Sequence, residues 1–193
     1  MSVLKDRILS EGKVFPNNVL KVDSFLNHQI DPKLMTELAD AFYQQFKDDG
    51  VTKVMTVEAS GIAPAILAAY KLGVPMLFAK KQQPSSMAKK EFLHAMVHSY
   101  TKNIDSRVIV SKKYLKPSDR ILIIDDFLAN GEAAMGLINI VEQAEATVVG
   151  VGICVEKAFQ PGRQRLEDYG VRVYSEARIK ALDNEEVTFL EGH

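Results

Sequence analysis

The stretch Ile121-Leu122-Ile123-Ile124-Asp125-Asp126-Phe127-Leu128-Ala129-Asn130-Gly131-Glu132-Ala133-Ala134 decides the fold. Its opening, Ile121 to Ile124, is apolar, β-branched and bounded by charge, which marks a strand buried on both faces of a parallel sheet. Asp125 and Asp126 close that run, and a short loop leads into a helix from Gly131 to Ala144 with Ala134, Leu137, Ile138 and Val141 inward. Adjacent carboxylates repel at close range, and hydroxyls or positive charge lying over them relieve the cost. The loop offers backbone N–H groups at a helix N-terminus, a natural seat for phosphate. Acids that hold hydroxyls beside a phosphate seat describe a ribose 5-phosphate site. The same pattern fits a solvated acid pair before a capped helix, and the pattern alone leaves both open.

Upstream, Asp31-Pro32 starts a helix: Asp suits the N-cap and Pro the first turn. Leu34, Met35, Leu38, Ala41, Phe42 and Phe46 follow at helical spacing, and Gly50 suits a left-handed end. Val51 to Val57 reads as a strand, Gly61 to Leu72 as a helix and Val74 to Ala79 as a second strand, a right-handed β-α-β unit. Lys80 to Glu91 has no periodicity. Phe92 to Tyr100 and Arg107 to Ser111 suit an antiparallel excursion. Downstream come a buried strand at Val148 to Val155, a short helix at Gly162 to Tyr169 and a strand at Val187 to Leu190. The whole predicts an α/β fold: an open, mostly parallel twisted sheet with helices on both faces. Ligands of such sheets bind beyond the carboxyl ends of the strands.

Composition agrees. The 193 residues are 47% apolar and 25% charged, an ordinary globular balance in one domain, 1–193. The net charge of −1 gives no footprint for nucleic acid. The single cysteine, Cys154, excludes an internal disulfide and reads as a small buried hydrophobe. No apolar run reaches the ~20 residues of a membrane span. Met1 to Lys13 lacks a signal-peptide core, so the expectation is a reduced, cytoplasmic protein. His28, His94 and His98 have no metal-ligand spacing with carboxylates, and no metal site of the protein's own is expected.

Residues Ile121 to Ala133 resemble the substrate motif of the type I phosphoribosyltransferases. The resemblance implies that Asp125 and Asp126 hold the ribose hydroxyls as the catalytic pair. It implies that Ala129, Asn130, Gly131, Glu132 and Ala133 wrap the 5-phosphate of phosphoribosyl diphosphate (PRPP). Asn130, Glu132 and Ala133 depart from the usual Thr, Gly and Thr, so Glu132 must point away from the phosphate. Glu58-Ala59-Ser60-Gly61 is similar to the diphosphate loop of adenine-type members, with Ala59, Ser60 and Gly61 on PRPP and a cis peptide expected at Ala59-Ser60. Lys80 and Lys81 alone read as a solvated basic strand end; the resemblance puts them on diphosphate oxygens. It makes 82–99 a flap region, implies Mg²⁺ with PRPP, and implies a homodimer.

Two further segments, Leu20 to Pro32 and Val155 to Arg163, look like those of the bacterial xanthine-specific branch. That likeness implies base contacts from Leu20, Asn27 and Lys157, with 1–30 and 156–193 forming a hood. The chemistry is consistent: Lys157 brings donors only, suiting the carbonyl oxygens of an oxo-purine better than the amino group of adenine. Phe127 is either core or a ring stacked on the base. The implied reaction transfers phosphoribosyl from PRPP to xanthine. The alternatives are transfer to adenine, hypoxanthine or guanine, and a PRPP-sensing regulator that retains the fold without catalysis. The short stretch before the Asp31 helix and the balanced charge disfavour the regulator.

Overall fold

The computed structural model describes residues 2–81, 91–99, 104–183 and 186–192. Its main sheet has eight strands in the order β10-β9-β8-β7-β3-β4-β6-β5. These are β3 (Lys53–Val57), β4 (Met76–Lys81), β5 (Phe92–Ser99), β6 (Ile104–Ser111), β7 (Arg120–Leu128), β8 (Thr147–Lys157), β9 (Val173–Asp183) and β10 (Glu186–Phe189). The central pairs β4/β3, β3/β7, β7/β8 and β8/β9 are parallel, and the outer pairs are antiparallel. A two-stranded hairpin, β1 (Lys13–Phe15) with β2 (Val19–Lys21), stands apart from the sheet. The open, mostly parallel α/β fold expected from the sequence is thus present.

Helices cover both faces. α1 (Val3–Glu11), α2 (Pro32–Phe46) and α3 (Ile62–Leu72) share one core with Leu122 and Ile124 of β7. α4 (Glu132–Gln143) and α5 (Gly162–Asp168) share the other with Ile121 and Ile123. The apolar run of β7 alternates between two cores, which is why it carries no polar residue until its far end. α2 starts as its sequence dictates: Asp31 accepts from the backbone N–H of Lys33 and Leu34, and Pro32 occupies the first turn. Gly50 takes the left-handed conformation, φ 64°. Gly150 and Gly152 of β8 leave room for α2, since a Cβ there would meet the Phe46 and Phe42 rings at 2.6 and 2.9 Å.

The structure corrects several expectations. β7 does not stop at Ile124. Its pairing with β8 runs on to Leu128 opposite Glu156, so Asp125 and Asp126 lie within the strand's last turns of pleat and not in a loop. β4 runs Met76–Lys81, so Lys80 and Lys81 belong to it. α1 precedes the Asp31 helix; Ser2 caps it and Leu4 and Ile8 are buried. β9 is an eleven-residue strand in a region read as short elements. The segment between β2 and α2 forms a π-helical turn, Asp23–Asn27. Of the expected flap, 82–90 lies outside the described residues, while Phe92–Ser99 is β5.

Candidate active site

The chain leaves β3 through α3 on one face and β7 through α4 on the other. These neighbouring parallel strands part at their carboxyl ends, and the crevice between divergent crossovers is where α/β sheets place ligands. A cleft of about 580 Å³ opens there, with Lys81, Asp125, Phe127, Lys157 and the loop from Ala129 to Ala133 on its walls.

Asp125 and Asp126 are both buried. The Asp126 N–H donates to Asp125 Oδ1 at 2.9 Å. Burial, and then the charge of Asp126, push the Asp125 carboxyl well above the usual carboxylate range. The Asn27 amide reaches in from the π-helical turn and donates to Asp126 Oδ2 at 3.5 Å. Gly61 lies directly against Asp125, and its N-cap position starts α3. The non-proline cis peptide of the turn is Glu58-Ala59, one residue before the expected Ala59-Ser60 bond, at the first turn residue beyond β3. Glu58, quoted in the turn motif but given no role of its own there, accepts from the Lys81 N–H at 2.6 Å and ties this turn to the end of β4. Ala59 and Ser60 sit in the turn beside the cleft and do not line it. Lys80 is exposed, its ammonium 5.8 Å from the Phe78 ring centre, outside the cleft.

The loop beyond β7 is held by α5. Gly162 N–H donates to the Ala129 carbonyl at 2.9 Å. Gly131 has φ 83° and a Cβ on it would stand 3.3 Å from the Gly162 backbone; a Cβ on Gly162 would meet the Ala129 oxygen at 2.3 Å. Both positions therefore require glycine. Glu132 pairs with Arg165 at 2.5 Å, a partner that lies too far along the chain to be read as one.

At the other end of the cleft, Lys157 donates to the Asn18 carbonyl at 2.8 Å and stands 6.0 Å over the Phe127 ring. Burial pulls its ammonium below the ordinary lysine range. Asn17, Val19 and Gln160 complete this wall, and none was anticipated. Leu20 alternates inward from Val19, and its side chain is buried in the core rather than in the cleft. Beneath Lys157, Glu156 is clamped by Arg163, with Nε and Nη2 at 3.0 and 2.7 Å, and by Arg178. Burial raises the Glu156 carboxyl, but Arg163 and Arg178 outweigh it and hold it low.

Among the described residues no set of three or more His, Cys, Asp or Glu converges on one point. Two carboxylates alone fit Mg²⁺, which keeps waters and takes its remaining oxygens from substrate phosphates. They do not make an all-protein cage.

The sequence matches the phosphoribosyl transferase domain family over residues 21–187. It is 58% identical over 190 residues to the xanthine phosphoribosyltransferase of Macrococcus caseolyticus, spanning 98% of this chain and 97% of that one. The corresponding figure for the Acinetobacter baylyi xanthine phosphoribosyltransferase is 51% over 190 residues, 98% and 99% of the two chains. Among solved structures, the adenine phosphoribosyltransferase of Rhodothermus marinus superposes with a TM-score of 0.73 at 22% identity, covering 91% of this chain and 98% of that chain. The Giardia lamblia enzyme complexed with 9-deazaadenine gives 0.74 at 20% identity, covering 92% and 98%. At these identities the solved structures speak for the fold, while the sequence match, which includes Asn27, the β7 loop and Lys157, identifies the chain as a member of the phosphoribosyltransferase family.

Proposed function

We propose that this enzyme transfers the 5-phosphoribosyl group of PRPP to N9 of xanthine, giving xanthosine 5′-monophosphate and diphosphate. The observation that carries the reading is the placement of the buried Asp125 carboxylate in one cleft between a glycine-held loop and a lysine-bearing wall, with buried Asp126 beside it in β7. Relatives named for the xanthine reaction support the choice of base.

Asp125 and Asp126 accept from the ribose hydroxyls and stand where positive charge develops on the sugar ring as the bond to diphosphate breaks. The loop from Ala129 to Ala133 seats the 5-phosphate on backbone N–H groups. Lys81 faces the diphosphate from the cleft wall, the turn at Ala59, Ser60 and Gly61 stands beside it, and Lys80 reaches the diphosphate from outside the cleft. Asp125 and Asp126, with oxygens of PRPP, would hold Mg²⁺, which would supply positive charge to the leaving diphosphate. Lys157 and Asn27 donate to oxo groups of the base, Phe127 stacks on it, and the backbone around Leu20 closes over it. The β1–β2 hairpin and the segment after β8 thus act as a hood. The rate enhancement rests on orientation of base and sugar together with this charge stabilisation.

The same reading makes the enzyme a cytoplasmic homodimer; no described helix is long and apolar enough to cross a membrane. Sedimentation at the mass of a single chain would remove the dimer. The deciding experiment supplies PRPP and Mg²⁺ with xanthine, adenine, hypoxanthine and guanine in competition. Preferred formation of the xanthine product is expected. Preferred use of adenine overturns the reading, and PRPP binding without diphosphate release would return the chain to a sensing role.

A further inference from the structure

We infer that Arg165 is a positioning residue for the phosphate loop, turning the Glu132 carboxylate aside and aiming the loop's amides. The inference rests on the reading of that loop as the phosphate seat.

Glu132 opens α4, immediately after Gly131, on the wall of the cleft. An unpaired carboxylate there would oppose a phosphate dianion, and the field of one charge on another reaches well beyond contact distance. Arg165, on α5, answers this with one nitrogen: its Nη1 donates to Glu132 Oε1 at 2.5 Å and to the Asn130 carbonyl at 2.6 Å. Gly162 of the same helix donates to the Ala129 carbonyl at 2.9 Å. Two successive carbonyls of the loop are therefore drawn toward α5. In a trans peptide the N–H points opposite to the carbonyl, so the amides of Asn130 and Gly131 are turned away from α5. Arg165 thereby acts on the loop in two ways. It cancels a negative charge where an anion must sit, and it fixes the orientation of a peptide whose N–H is free to bind.

The two effects separate by mutation. Arg165→Gln is expected to raise the KM for PRPP about tenfold, the scale of one charge-assisted contact, with kcat and the KM for xanthine changed less than twofold. Adding Glu132→Gln to that variant removes the uncancelled charge and should recover at least half of the loss on a logarithmic scale. A merely structural role for Arg165 gives no such recovery, since the second change only removes a further contact. Arg165→Lys, which retains the charge without the fork, should fall between the parent and Arg165→Gln. Melting curves identify any variant that does not fold, and Arg165→Lys then carries the comparison. An unchanged KM for PRPP in Arg165→Gln, or no recovery in the double variant, overturns the inference while turnover of the parent enzyme leaves the reading of the cleft intact. A parent chain without PRPP-dependent turnover ends both.

Discussion

Gly61 lies so close to Asp125 that a methyl group on it would stand 2.8 Å from Asp125 Oδ1 and 2.2 Å from Thr56 Oγ1. The turn after β3 and the carboxylate on β7 therefore share one volume. Gly61→Ala must displace Asp125, Thr56 or the start of α3. Because a misplacement of about 1 Å costs on the order of a hundredfold in rate, kcat/KM is expected to fall by that factor. Steady-state kinetics check this, and a parental rate in the variant would show that the Asp125 position does not set turnover.

Asp125 gives a pH signature. Burial and the neighbouring Asp126 raise its carboxyl in the folded chain, so the folded state holds this proton more firmly than the unfolded state. Stability from this site therefore falls as pH rises above the ordinary carboxylate value of about 4. Asp125→Asn should melt higher than the parent at pH 7, with the gap closing toward pH 4, while turnover falls roughly a hundredfold or more. Melting temperatures measured across that range test the sign; a gap that widened on acidification would refute the assignment.

Glu156 behaves in the opposite sense. Its carboxyl is held low by Arg163 and Arg178 despite burial, so its contribution is present above about 4.3 and lost as pH falls through the lowered folded value. Breaking this buried pair by Glu156→Gln should cost roughly 3 kcal/mol, or about 10 °C in melting temperature at pH 7. The difference from the parent should shrink in acid. A pH-independent difference would mean that packing, not charge, carries the effect.

Lys157→Met retains an apolar stem and removes the ammonium that stands 6.0 Å from the Phe127 ring centre. The KM for xanthine is expected to rise tenfold or more, by roughly the scale of a lost polar partner, with the KM for PRPP little moved. Initial rates at varied xanthine measure it. An unchanged KM would leave Lys157 as no more than a brace for the Asn18 carbonyl.

Much of this was legible because the informative residues are contiguous. Ile121 to Gly131 announces strand, carboxylates and loop within one span, and the alternation of β7 between two cores explains why the apolar run is unbroken. β9 was missed because Glu176, Arg178 and Lys180 interrupt its pattern; Glu176 is buried beside Tyr174, and Arg178 is neutralised by Glu156, partners that the linear sequence does not reveal. α1 was missed because only Leu4 and Ile8 of its nine residues are buried. Asn17 and Asn18 reach the cleft through a hairpin turn with φ 64° and 58°, and Asn27 meets Asp126 across 99 residues of chain. Such juxtapositions come from tertiary packing and leave no local periodicity.

The backbone crossing at Gly131 and Gly162 couples two kinds of recognition that a designer would wish to adjust separately. Lys157 and Gln160 stand just ahead of Gly162, and the Ala129 carbonyl hangs from it. Grafting a foreign segment between β8 and α5 to change which nucleobase is accepted would also transmit its geometry to the anion seat. Successful exchanges of that segment must preserve a residue without a side chain at 162 and the distance from it to Lys157.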